Sequence, residues 1–261
     1  MPAIDKHAPG AFCWPELGTT DRAGAKKFYE GLFSWAAEDV PAGPGMIYTM
    51  LRLEGREVGA LYELRPEQRQ QGVPPNWLIY VAVESADHAA EKAKSLGGQV
   101  LMGPFDVMDV GRMAVIRDPQ GAVFAVWQAK LHIGTRIAGV NGTMGWSELH
   151  TPDTEAGRKF YTGLFGWGAK VSDMGPMKYT EWVNQGQSIG GMMQLDPAMK
   201  APPNWLTYFM VGDCDATVAR AKELGGSICM PPMDIPKVGR FAVLTDPQGA
   251  AFAVIKVMPP Q

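Results

Sequence analysis

The sequence predicts an α+β fold built twice, each copy a set of short strands with two helices on one sheet face. Three observations predict it. First, the chain repeats itself: "WPELGTTDRAGAKKFYEGLFSW" from Trp14 and "WSELHTPDTEAGRKFYTGLFGW" from Trp146 are identical at 12 of 22 positions without a gap. "PPNWLIYVAV" from Pro74 returns as "PPNWLTYFMV" from Pro202, and "DVMDVGRMAVIRDPQGAVFAVWQ" from Asp106 returns as "DIPKVGRFAVLTDPQGAAFAVIK" from Asp234 at 14 of 23 positions. Self-similarity at a fixed spacing marks a duplicated structural unit. Second, each copy alternates short apolar runs with stretches of helical period. Third, each closes on Asp-Pro-Gln-Gly, with Pro at i+1 and Gly at i+3 of a β-turn. The offset drifts from 132 to 128 between matched blocks, which places insertions and deletions in loops. The reading gives a domain over 1–128, a polar, Gly-containing linker over 129–143 and a domain over 144–261.

The elements follow in the same order in each copy. A strand (Phe12–Gly18; Gly145–His150) leads to a helix whose cap is Asp21 or Asp153, a carboxylate able to accept from orphan helix N–H groups. In the first helix Ala25, Phe28, Tyr29, Leu32 and Phe33 make one apolar face. Two or three short strands come next, with turns at Gly55 and Gly186, and a further strand follows Pro75 or Pro203. A second helix (about Ala86–Leu96; Cys214–Leu224) stops at Leu-Gly-Gly. A strand pair joined by the Asp-Pro-Gln-Gly turn completes β-α-β-β-β twice over in each half.

Composition excludes several classes of function. Apolar residues at 46% and charged residues at 20% are those of a folded globular protein. A net charge of −3 with no Lys/Arg cluster argues against nucleic acid and anionic membrane as partners. No apolar run approaches the ~20 residues that span a bilayer. The start, "MPAIDKHAPG", lacks the apolar stretch of a signal peptide. Cys13, Cys214 and Cys229 form no C-x-x-C pair, which fits reduced thiols in a cytoplasmic protein.

The β-α-β-β-β pattern, the "FYxGLFxW" helix end and the "DPQG" turn resemble the vicinal oxygen chelate superfamily of glyoxalases, bleomycin-resistance proteins and extradiol dioxygenases. The resemblance covers nearly the whole chain and looks closest to a tandem-domain, glyoxalase-like branch often labelled "hydroxylase". It implies two glyoxalase-like domains, each of two βαβββ modules whose mixed sheet curves into a cup, with helices on the outer face. It also implies a divalent metal in the cup, on His, Gln or Glu side chains. The family positions for those ligands fall here on Trp14, Leu78 and Ala125, and on Trp146, Leu206 and Ala253. Indole and alkyl groups offer no lone pair to a hard cation, so no metal and no other cofactor is expected in either half.

Strand alternation then says what the cups hold, because residues two apart share a face. Trp14 and Glu16 point into the first cup, with Asn76, Leu78, Tyr80, Val123, Ala125 and Trp127; "YTMLRL" adds Tyr48, Met50 and Arg52. The second receives Trp146 and Glu148, with Asn204, Leu206, Tyr208, Ala251, Ala253 and Ile255; "YTEWVN" adds Tyr179, Glu181 and Val183. On this reading Glu16 can pair with Arg52, and Glu148 comes near Glu181. Their repulsion would raise one carboxyl's pKa and make a proton-transfer group. His150 is assigned to the strand face opposite Glu148, as a surface or interface residue. His7, His88 and His132 form no cluster, and Arg112 and Arg240 anchor strand starts.

An aromatic, mostly apolar cavity with one carboxylate is the composition of a small-molecule pocket. The expected function is binding of a small, largely apolar ligand without the family metal. The alternatives are an enzyme, either a glyoxalase-type lyase or isomerase with a displaced divalent metal or one using Glu148 or Glu16 as general base, or a structural protein with collapsed cups. The small molecule is the expected partner, and the chain a monomer or homodimer.

Overall fold

A computed structural model describes residues 3–43, 45–174, 177–196 and 201–258, so the outermost ends of the two expected domains lie outside the described residues. The first half runs β1 (Phe12–Thr19), α1 (Arg22–Phe33), β2 (Ala36–Pro41), β3 (Ile47–Leu53), β4 (Arg56–Glu63), α2 (Pro66–Gln70), β5 (Asn76–Ala82), α3 (Ala86–Ser95), β6 (Gln99–Val107), β7 (Gly111–Arg117) and β8 (Val123–Ala129). The second runs β9 (Met144–Thr151), α4 (Thr154–Phe165), β10 (Gly168–Met174), β11 (Met177–Asn184), β12 (Gln187–Gln194), β13 (Asn204–Met210), α5 (Cys214–Glu223), β14 (Ser227–Ile235), β15 (Gly239–Thr245) and β16 (Ala251–Val257). The short α2, which begins at Pro66, is the one element of the first half that the sequence reading does not anticipate.

Each half forms one eight-stranded mixed sheet, in the orders β2-β3-β4-β1-β5-β8-β7-β6 and β10-β11-β12-β9-β13-β16-β15-β14. The two modules of each half meet where β1 runs antiparallel to β5, and β9 to β13. Local chemistry fixes the helix ends as expected. Asp21 accepts from the Gly24 N–H at 2.9 Å and Asp153 from the Ala156 N–H at 3.0 Å. The second helices stop where Gly97 and Gly225 take positive φ, 88° and 91°. Arg112 clamps Asp87 in the first turn of α3 at 2.6 and 2.8 Å, and Arg240 does the same to Asp215 of α5 at 2.6 and 2.9 Å.

The helices lie on the sheet face away from the cup, and that face is the buried middle of the molecule. One core packs Leu17, Phe28, Tyr29, Phe33 and Trp77 of the first half with Phe209, Val218 and Phe252 of the second. The other packs Ile79, Ala90 and Phe124 with Phe160, Tyr161 and Trp205. The halves therefore share both hydrophobic cores, whereas the cup residues of each half cluster only among themselves.

The repeated turn ties this interface together. Asp118 Oδ1 accepts from the N–H groups of Gln120, Gly121 and Ala122 at 2.7–2.9 Å, which closes the turn. Its Oδ2 accepts from the Tyr161 hydroxyl of the other half at 2.9 Å, and that hydroxyl accepts from Trp205 Nε1 at 2.9 Å. The mirror set is Asp246, Tyr29 and Trp77, at 3.1 and 2.9 Å.

Candidate functional site

The two cups are built alike around a carboxylate. In the first, Tyr48 donates to Glu16 Oε1 at 2.6 Å, Tyr80 donates to Oε2 at 2.8 Å, and Trp14 Nε1 donates to the Tyr48 oxygen at 3.0 Å. In the second, Tyr179 donates to Glu148 Oε2 at 2.8 Å, Tyr208 to Oε1 at 2.9 Å, and Trp146 Nε1 to the Tyr179 oxygen at 2.9 Å. Burial, and then the neighbouring carboxylate, push the pKa values of all four phenols up, so they stay protonated and donate. Burial raises the Glu16 pKa, an effect its two tyrosine bonds partly offset.

Register explains these groupings. Glu16 stands opposite Leu78 and Glu148 opposite Leu206, so each carboxylate has an apolar neighbour across the strand pair. One row further, Trp14, Tyr80 and Ala125 lie side by side across three strands, as do Trp146, Tyr208 and Ala253. These rows present an indole, a phenol already bonded to Glu and a methyl group. Among the described residues no three His, Cys, Asp or Glu side chains gather to hold a metal ion. The side chains present do not fit the superfamily's metal.

Three expectations are corrected. Arg52 does not pair with Glu16: a bulge between Leu51 and Arg52 shifts the register, and the guanidinium reaches Glu38 at 3.0 Å and Glu57 at 3.3 Å. Glu181 is not beside Glu148, because the Gly191 strand lies between them. It accepts instead from Ser188 and lies 3.9 Å from Lys170. His150 is not on the face opposite Glu148; two positions along β9 it shares that face, and its Nε2 is 2.8 Å from Glu148 Oε1. Asn76 and Asn204 each donate to the carbonyl two residues back, Pro74 and Pro202, at 2.8 Å, and so brace the entry to the strand.

The cups also differ in filling. In the first, Trp14, Met50, Tyr80, Met113 and Trp127 form one buried cluster. The Trp127 ring lies against Gly111, where a Cβ would collide with it, and Nε1 donates to the His132 carbonyl of the linker at 2.8 Å. The His132 ring stands edge-on to Trp14, centroids 4.6 Å apart, a contact that no local pattern predicts for a linker histidine. In the second cup Ile255 replaces Trp127, and the buried apolar set among the described residues is Leu206, Tyr208, Ala253 and Ile255. His150 stands where the first cup has Gly18.

A mixed eight-stranded sheet of two βαβββ modules, with a cup and a central carboxylate, defines a class of fold rather than one reaction. The chain belongs to the Glyoxalase/Bleomycin resistance protein/Dioxygenase superfamily, whose family model matches residues 12–126 and 143–254. It is 41% identical over 264 residues to "Putative glyoxylase CFP32" of Mycobacterium tuberculosis, with all of both chains covered. It is 37% identical over 264 residues to "Anthracycline biosynthesis protein DnrV" of Streptomyces peucetius, covering 97% of this chain and 96% of that one. Among solved structures, the Mn(II)-bound glyoxalase from Novosphingobium aromaticivorans superposes with a TM-score of 0.65 at 18% identity, over 95% of this chain and 82% of that one. The 2,2',3-trihydroxybiphenyl 1,2-dioxygenase of Sphingomonas wittichii gives 0.66 at 14% identity, over 96% and 92%. At these identities the structural likenesses speak for the fold alone.

Proposed function

We propose that the chain, as two fused domains over 1–128 and 144–261, is a cytoplasmic small-molecule-binding protein that takes a largely apolar ligand without the family metal. The C-terminal cup is the working site. The observation that carries this is Glu148, 6% exposed, gathering two tyrosine hydroxyls and the His150 ring opposite the apolar Leu206. Buried carboxylates persist only when such partners offset desolvation. The first cup has the same carboxylate but is packed with Trp14, Met50, Met113 and Trp127. The names of the two relatives, "Putative glyoxylase CFP32" and "Anthracycline biosynthesis protein DnrV", agree with a small-molecule ligand.

The test has two arms. Elemental analysis of protein purified without a metal-affinity tag is expected to find no stoichiometric divalent metal; one that survives dialysis overturns the metal-free reading. Thermal-shift screening of aromatic metabolites and antibiotics is expected to give ligands that raise the melting temperature of the parent protein and of Glu16→Gln, but less that of Glu148→Gln. Unchanged melting across the library would mean that both cups are structural.

A second reading, an enzyme, draws on the histidine. Direct general-base action by Glu148 or Glu16 is poorly served, since both oxygens of each carboxylate already accept hydrogen bonds.

A further inference from the structure

We infer that His150 is the proton-accepting group of the C-terminal cup, and that the ligand it selects is a flat, largely apolar molecule bearing an acidic hydroxyl, a phenol. This rests on the binding function proposed above. Glu148 accepts from Tyr179, Tyr208 and the His150 ring nitrogen Nε2. In the neutral imidazole that bond places the hydrogen on Nε2 and leaves the lone pair on Nδ1. Among the described residues Nδ1 has no hydrogen-bond partner, and it is not a fully buried atom. The imidazole thus has one nitrogen fixed by a carboxylate and the other able to accept.

The surroundings restrict what can approach. On its own strand the ring has Glu148; across the sheet it stands opposite Met193 and Asn204. Tyr179 and Glu181 come from β11 and Tyr208 from β13. Tyr179 and Tyr208 are engaged with Glu148, Asn204 with Pro202, and Glu181 with Ser188 and Lys170. No lysine or arginine touches the imidazole–carboxylate pair among the described residues. Positive charge formed on His150 is therefore met by Glu148 and by no competing cation. The apolar surface along the same face is Leu206, opposite Glu148, and then Trp146, whose indole is hydrogen-bonded to Tyr179, which suits an aromatic body with few polar groups.

The step is one proton transfer. The ligand O–H bond breaks, its electron pair stays on the ligand oxygen, and the proton forms an N–H bond at Nδ1. A phenolate and an imidazolium result, hydrogen-bonded to each other, with the imidazolium also bonded to Glu148. Charge-assisted bonds of this kind are about twice as strong as neutral ones. The same chemistry is unavailable in the first cup, where Gly18 occupies the equivalent position.

The test uses para-nitrophenol, whose phenolate is yellow, and its methyl ether para-nitroanisole, which has the same body without the proton. The full-length protein is titrated below the phenol's own ionisation point, where free probe is colourless. The expected result is a phenolate band on binding, with His150→Gln abolishing the band and weakening nitrophenol binding about tenfold. Glutamine keeps a donor for Glu148 but cannot take the proton. Nitroanisole should bind both proteins alike. Leu206→Trp, which fills the face opposite Glu148, should remove binding of both probes; Asn204→Trp, directly opposite His150, serves the same purpose if that variant does not fold. If nitrophenol binds without the band and equally to His150→Gln, the histidine inference falls while the binding function stands. If neither probe binds, or if binding survives the filled cup, both fall.

Discussion

A buried carboxylate surrounded by phenols makes its own pH signature, and Glu16 is the residue to show it. Burial holds its folded-state pKa above the ordinary carboxylate value, although Tyr48 and Tyr80 donate to it. Between those two values the folded protein keeps a proton that the unfolded chain has released. Stability contributed by this group is therefore full below the ordinary value and lost as pH rises through the folded one. Glu16→Gln removes the penalty, and an amide can still meet both hydroxyls, accepting from Tyr48 and donating to Tyr80. The Tyr80 hydrogen has an alternative acceptor in Met113 Sδ, 3.9 Å away. The variant should melt higher than the parent at neutral pH, and the gap should close in acid. Melting curves across pH check this, and a gap that widens in acid would contradict it. Residue identity at this site was legible in the sequence: the strand period, with the more apolar face of β3 set under the helices, puts Glu16, Tyr48 and Tyr80 into one cup. Partners were less so. Arg52 turns aside because a bulge breaks the period, and no pattern announces a bulge. His150 was within reach of the same period-two rule that placed Glu148.

At the scale of the element, the Asp-Pro-Gln-Gly turn does more than reverse the chain. Its sequence declares the turn, because the Pro and Gly positions have local reasons. Nothing local declares that Asp118 also receives Tyr161, a residue of the opposite half. The "FYxGLF" helix and the turn are legible as separate motifs; that each helix completes the turn of the other half is a property of docking. Asp118→Ala would orphan the Ala122 N–H and the Tyr161 hydroxyl in a buried place, at ~1–3 kcal/mol for each group left unsatisfied, and would free the half-buried Gln120 N–H. A loss of about 3 kcal/mol or more is expected in urea denaturation. Tyr161→Phe keeps the turn and should cost only about 1–2 kcal/mol. Equal losses from the two variants would show that the interlock, and not the turn, holds the stability.

The whole molecule follows from where the helices sit. A sequence reading that counts two domains suggests two units able to fold apart, yet both hydrophobic cores draw on both halves. Phe209 of the second half packs against Phe33, Trp35 and Trp77 of the first, with ring centroids 5.1–5.4 Å apart. Neither half alone can cover its helices' apolar faces, so opening one exposes the other. Unfolding is then expected to be a single cooperative transition for the full chain. Phe209→Ala, which removes an aromatic side chain from a shared core, should lower stability by about 3–5 kcal/mol and shift that transition without splitting it. Tryptophan fluorescence and far-UV circular dichroism should report the same midpoint in parent and variant. The comparison has force because four of the eight tryptophans lie in each half, so a half that unfolded first would separate the signals. Residues 1–143 and 144–261 produced separately should each expose apolar surface and aggregate, and recover the native spectrum only when refolded together. Two well-separated transitions in the full chain, or a stable isolated half, would show that the duplication left two independent domains instead of one body.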